Sequence, residues 1–198
     1  MISAILLGAG ESRRMGVNKL SLPWGSRTIF ENSLHSLLRS EVDEVIIVIN
    51  KKMKAFGIPL RDPRIRVLTN PHYKKGMSTS IRRGLRAIRP NTRGILIALG
   101  DQPYLKPRTV NALIHAFNRK RGEIIVPSYR GRRGHPVIFD RSYKEELSKL
   151  RGDTGARAIL ERYPEKVFKV RTKSQAVVKD IDLWEDYVKA SRRTLHRK

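Results

Sequence analysis

The stretch Ile2-Ser3-Ala4-Ile5-Leu6-Leu7-Gly8-Ala9-Gly10-Glu11-Ser12-Arg13-Arg14-Met15-Gly16-Val17-Asn18-Lys19 decides the fold. Its first part, Ile2–Leu7, is a short apolar run closed by glycine, the pattern of a strand buried on both faces. Its second part is a loop rich in glycine and arginine. Val45–Ile49 and Ile95–Leu99 repeat the strand pattern, and Ile65–Leu68, Ile124–Val126, Val137–Phe139 and Val167–Val170 are shorter candidates. Between them Ile81, Leu85 and Ile88 follow helical spacing, as do Val110, Leu113, Ile114 and Phe117 after Pro107, a residue suited to a first helical turn. Strands alternating with helices predict an α/β fold: a mostly parallel sheet with helices on both faces. In such sheets ligands sit beyond the carboxyl ends of the strands, so the residues after Leu7 and Leu99 draw attention first.

Composition narrows the chemistry. The chain has 198 residues, the span of one domain, with 42 Lys and Arg against 18 Asp and Glu, a net charge of +24. Apolar residues make up 39%, too many for a disordered polyelectrolyte. The absence of cysteine excludes a disulfide scaffold, a thiolate zinc site and cysteine catalysis. No apolar run is long enough to cross a bilayer and no basic segment precedes Ile2 as in a secretory leader, so a cytoplasmic protein with no membrane partner is expected. The positive excess suits an anionic ligand, although heat adaptation also enriches charge. Residues 1–191 read as a single domain and 192–198 as a basic tail.

After the first strand, Gly8 and Gly10 would let backbone N–H groups approach an anion, and Arg14 and Lys19 would neutralise phosphate oxygens. Neither common nucleotide motif applies: the third glycine of GxGxxG would fall on Arg13, and no glycine precedes Lys19 as a P-loop requires. A tight turn with solvated charges is the plain alternative. Asp101 follows the strand Ile95–Leu99, and a carboxylate there suits a magnesium ion shared with nucleotide phosphates, or else a turn ahead of the Pro107 helix. Asp182-Leu183-Trp184-Glu185 also reads as a helix start. Ser78 and Ser80 suit either a helix cap or ribose and base contacts. A lone His135 is most often a core or surface histidine. Arg82, Arg86 and Arg89 form a row opposite an apolar helix face, which usually means solvated surface. No RNP-type aromatics or zinc-finger spacing accompany it, so a nucleic-acid partner is not expected.

Gly10-x-Ser12-x-Arg14-Met15-Gly16-x-x-Lys19 resembles the signature loop of the nucleotidyltransferases that include the molybdenum cofactor cytidylyl- and guanylyltransferases. Leu22-Pro23-Trp24-Gly25, Gly76-Met77-Ser78-Thr79-Ser80-Ile81, Gly100-Asp101-Gln102-Pro103, Gly131-Arg132-Arg133-Gly134-His135-Pro136-Val137, Gly152-Asp153-Thr154-Gly155-Ala156-Arg157 and Asp180-Ile181-Asp182 are similar to cytidylyltransferase segments in the same order. The resemblance implies a three-layer αβα fold of the nucleotide-diphospho-sugar transferase type. It implies transfer of CMP from CTP to the phosphate of molybdenum-molybdopterin, with Mg2+ as cofactor and pyrophosphate as leaving group. Catalysis would fall to Arg14, Lys19 and Asp101, nucleotide binding to Leu7, Gly8, Ala9, Gly10, Arg14, Lys19, Gly76, Ser78, Ser80 and Asp101, and acceptor binding to Gly134, His135 and Pro136. Asp101 and Asp182 would hold the metal, with Asp180 as the substitute second ligand. The family usually has Thr-Pro where this chain has Leu183-Trp184. Ala9 matches the cytidine-using branch, whereas Gly8 departs from the usual Ala or Thr. A molybdoenzyme or chaperone would receive the product. The rivals are a guanylyl- or adenylyltransferase acting on molybdopterin or another phosphorylated acceptor, and, in a different class, a basic nucleic-acid-binding module on a degenerate nucleotidyltransferase scaffold.

Overall fold

Strand β1 (Ile2–Gly8) lies at the centre of the sheet with every residue buried. In the computed structural model, which describes residues 1–12, 15–52, 62–153 and 155–195, β1 pairs in parallel with β4 (Glu44–Ile49) on one side and β6 (Gly94–Leu99) on the other. β5 (Ile65–Thr69) extends the parallel set beyond β4. On the opposite side β9 (Val137–Asp140) runs antiparallel to both β6 and β7 (Ile124–Tyr129), and β10 (Val167–Arg171) returns parallel to β7 at the edge. The sheet order is β10-β7-β9-β6-β1-β4-β5, and β8 (Arg132–Arg133) pairs with β7. A separate two-stranded ribbon joins β2 (Pro23–Trp24) to β3 (Arg27–Thr28).

Alternation along β1 splits the core in two. Ile2, Ala4 and Leu6 face α1 (Ile29–Leu38) and α3 (Pro107–Asn118), whereas Ile5 and Leu7 face α2 (Met77–Leu85), α4 (Lys144–Lys149) and α5 (Arg157–Arg162). That is the three-layer arrangement. α1 begins with a capping box: the Thr28 hydroxyl accepts from Glu31 N at 3.1 Å, and the Glu31 carboxylate accepts from Thr28 N at 2.7 Å. Pro107 occupies the first turn of α3, where its missing N–H costs nothing. α2 ends at Leu85, so Ile88 packs in the core from the following turn. α6 (Trp184–Leu195) continues through residue 192, the point at which charge alone suggests a tail. No helix among the described residues is long and apolar enough to cross a membrane.

Candidate active site

β1 and β6 are adjacent and parallel, so the residues that leave their carboxyl ends meet. Gly100 N donates to Leu7 O at 2.9 Å and stitches the two ends together. Gly8 is packed rather than open: a Cβ there would lie 2.6 Å from the Phe30 ring. Beyond it the loop is pinned by short-range bonds. Lys19 N donates to Ser12 Oγ at 3.1 Å, and Asn18 caps the one-turn helix Lys19–Ser21 by accepting from Leu20 N at 3.2 Å. The Asn50 amide, at the end of β4, donates to Ala9 O at 2.9 Å.

These constraints carry the Lys19 ammonium to the far lip of a cleft. Its Nζ donates to Asp101 Oδ2 at 2.7 Å and to Asp182 Oδ1 at 2.6 Å. Burial alone would lower the pKa of this ammonium; the charges of Asp101 and Asp182 and their hydrogen bonds outweigh it and hold the pKa above its ordinary value. Asp182 is delivered by a crossing segment whose Ile181 N donates to the Asp101 carbonyl at 3.2 Å. α6 starts two residues later, at Trp184. Oxygens of Asp101, Asp180 and Asp182 lie within 4.8 Å of one another. Partial burial, then the negative charges of Asp182 and Asp101, raise the Asp180 pKa above the usual carboxylate value. Among the described residues Asp101 Oδ1 is buried with no hydrogen-bond partner. An unpartnered buried oxygen within an all-oxygen donor set is what a hard divalent cation would satisfy, so these residues fit such an ion.

The cleft encloses about 470 Å³. Leu7, Ala9, Gly10, Lys19 and Asp101 line one part, and Gly76, Met77, Ser80 and Asp153 another. Gly76 has φ +102°, where side chains are strained, and a Cβ on it would meet the Gly152 carbonyl carbon at 2.5 Å. This close approach lets Ser78 N donate to Gly152 O at 3.1 Å and Met77 N to Asp153 Oδ1 at 2.8 Å. The start of α2 is therefore capped by Asp153 from a distant loop and not by a serine. Ser80 Oγ lines the cleft and accepts from the Asn70 amide at 2.9 Å, while Ser78 Oγ is buried without a partner and outside the lining.

The structure thus brings together Leu7, Ala9, Gly10, Lys19, Gly76, Ser80, Asp101 and Asp182 from the residues read in the sequence. Arg14, with Arg13 and Thr154, lies outside the described residues. Gly134, His135 and Pro136 do not line this cleft. His135 N donates to Val177 O at 2.8 Å, a Cβ on Gly134 would sit 2.0 Å from that same oxygen, and His135 Nδ1 is buried without a partner. Burial lowers the His135 pKa despite the Asp180 charge and a hydrogen bond with the Ile97 backbone. The segment packs on Val177, three residues before Asp180. Sequence reasoning assigned no role to Asp153, Asn70, Tyr73 or Lys74. Asp153 had a signal, because it lies in one of the segments in register; the others are ordinary loop residues until the fold gathers them.

Residues 4–167 match the MobA-like NTP transferase domain family. The chain belongs to that family. It is 32% identical over 192 residues to the purine catabolism protein PucB of Bacillus subtilis, covering 92% of each chain. It is 24% identical to the molybdenum cofactor cytidylyltransferase of Escherichia coli, covering 97% of this chain and 96% of the relative. A probable molybdenum cofactor guanylyltransferase of Natranaerobius thermophilus is 27% identical over 66% of this chain and 62% of its own. The crystal structure of Rv0371c from Mycobacterium tuberculosis in complex with manganese superposes with a TM-score of 0.79 at 26% identity, covering 96% of this chain and 98% of that one. The MobA-like chain is a nucleotidyltransferase of the nucleotide-diphospho-sugar transferase fold.

Proposed function

We propose that the chain transfers CMP from CTP to the terminal phosphate of a molybdopterin-type acceptor. A phosphate oxygen of the acceptor bonds to the α-phosphorus, the bond from that phosphorus to the α–β bridging oxygen breaks, and pyrophosphate leaves with the electron pair. The product is a diphosphate-linked dinucleotide, and no covalent enzyme intermediate forms. The observation that carries this reading is the clustering of Asp101, Asp180 and Asp182 beyond the end of β6, with Asp101 and Asp182 both bonded to Lys19.

Phosphoryl chemistry asks for alignment and charge neutralisation more than for a protein nucleophile. In our reading Asp101 and Asp182 hold Mg2+, with Asp180 beside them, and the ion when bound neutralises phosphate charge. Ala9 and Gly10 offer backbone to the triphosphate. Lys19 turns from its carboxylates towards the departing pyrophosphate, joined by Arg14. Leu7, Gly76 and Ser80 form the ribose and base side, with Ser78 buried behind them. Gly134-His135-Pro136 fixes the segment bearing Asp180 and Asp182, and the acceptor approaches over it. Support for cytidine comes from Ala9 and from the named activity of the Escherichia coli relative. The guanylyltransferase relative supports GTP as the second reading.

The test is incubation with molybdenum-molybdopterin, magnesium and each of CTP, GTP and ATP, following pyrophosphate release. We expect release with CTP. Preference for GTP would replace the base assignment, and release with none of the three would refute the acceptor.

A further inference from the structure

A second recess opens on the outward face of α2. It encloses about 410 Å³ and is lined by Asn70, His72, Lys75, Thr79, Arg82, Arg83 and Arg86, with Pro71 at its edge and no carboxylate among them. Volumes of this order are those of ligand pockets. Arg82 and Arg86 stand four residues apart and Arg83 and Arg86 three apart, with Arg86 the C-cap, so three guanidinium groups gather at the end of α2, where cations complement the helix dipole. The next cation along the row, Arg89, is neutralised: it pairs with the buried Glu44 at 3.5 Å. Among the described residues no carboxylate pairs with Lys75, Arg82, Arg83 or Arg86. The Arg row read from the sequence is therefore divided, with Arg89 structural and the rest gathered around a concavity.

The recess shares a wall with the active-site cleft. The one-turn helix Tyr73–Lys75 presents Tyr73 and Lys74 to the cleft and Lys75 to the recess. The Asn70 amide donates to Thr79 Oγ1 at 2.8 Å on the recess side and to Ser80 Oγ at 2.9 Å on the cleft side.

We infer that this recess is a second anion site that takes a compact polyphosphate, either inorganic pyrophosphate or the phosphates of a nucleotide other than the one in the cleft. Guanidinium forks match phosphate oxygens in pairs, and three of them with one ammonium suit a multiply charged diphosphate better than a single phosphate. An occupant there bears on Tyr73 and Lys74 through the common wall, and so on the nucleotide.

The site is tested by isothermal titration of the full chain in EDTA, at fixed ionic strength, with inorganic pyrophosphate, orthophosphate and CTP in separate runs. Arg82→Gln/Arg83→Gln/Arg86→Gln is compared with Arg108→Gln/Arg119→Gln/Lys120→Gln, which removes the same charge from α3 and its end. The first triple variant is expected to weaken pyrophosphate binding by about tenfold or more, and the second by less than about twofold. Arg83→Glu alone moves affinity in the same direction if the triple variant proves unstable. A loss in the first triple variant confined to the pyrophosphate arm identifies the free anion, and an equal loss in a further arm with ATP identifies a nucleotide, while the CTP arm reports the cleft and should not change. Equal losses in the two triple variants, or orthophosphate bound as tightly as pyrophosphate, would overturn the proposal. So would removal of length-dependent RNA binding with pyrophosphate binding unchanged. No turnover is read, so failure here leaves the catalytic assignment standing.

Discussion

Gly134→Ala should be among the most damaging single-methyl changes available in this chain. An added Cβ would lie 2.0 Å from the Val177 carbonyl oxygen and 2.6 Å from its carbon, whereas real Cβ atoms essentially never come within 3.0 Å, so the chains must separate by about 1 Å. Val177 is fully buried, and its carbonyl accepts from His135 N at 2.8 Å and, more weakly, from the Gln102 amide at 3.5 Å. Separation costs about 1–3 kcal/mol for the buried groups left without partners and about 1–3 kcal/mol for overpacking. For a chain of this size the summed cost of about 2–6 kcal/mol is a fall in Tm of about 4–24 °C. The effect reaches function because Val177 lies three residues before Asp180. Misplacing reacting groups by about 1 Å can cost about a hundredfold in rate. Thermal unfolding followed by circular dichroism, with pyrophosphate release assayed below the transition, reads both consequences. A Gly134→Ala protein melting within about 1 °C of wild type would refute the packing argument.

Gly10→Ala is its counterpart: beyond its chain neighbours, no atom of the described residues lies within 4 Å of the added Cβ, so Tm should hold within about 1 °C, while equilibrium titration should show weaker nucleotide binding because the methyl enters the cleft. Lys19→Met strips the ammonium from Asp101 and Asp182. Because Asp182 is partly exposed the cost is about 1–3 kcal/mol, and the metal-free protein should melt about 2–12 °C lower, with magnesium restoring much of the loss. A melt unaffected by either change would contradict that assignment. His135 supplies a pH test. Its folded pKa lies below the ordinary 6.5, so the unfolded chain takes up its proton first and stability drops as pH falls through that range. Comparing Tm from about pH 7.5 to about pH 5.5, His135→Gln should have a shallower slope than wild type, and parallel slopes would exclude the histidine as the cause.

Much of the sheet was legible because strands buried on both faces are written as continuous apolar runs. Ile2–Leu7, Val45–Ile49 and Ile95–Leu99 became β1, β4 and β6 with shifts of a residue at the ends, and the shorter runs became β5, β7, β9 and β10. The antiparallel course of β9 was not legible, because direction depends on how the chain returns and not on the strand's own residues. β2, β3 and β8 are two residues long and carry no period to detect. At the cleft, Asp101 could be read because it follows the end of β6, where position dictates projection, and Lys19 because it closes the glycine and arginine loop after β1. Asp153 caps α2 from 76 residues away, and Asn70 ties Thr79 to Ser80; such contacts exist only after the layers pack. The Ser78 hydroxyl was ambiguous for the same reason, since a local cap and a long-range cap look alike in sequence.

In the proposed reaction a divalent ion joins nucleotide to the acidic side chains at the β6 end of the cleft. CTP titrated calorimetrically into wild-type and Asp101→Asn protein, each with magnesium and with EDTA, tests it most directly. Wild type should bind CTP about tenfold or more tightly with magnesium than without, and Asp101→Asn should lose that dependence while keeping its circular dichroism spectrum. Equal affinity across all four conditions would contradict it.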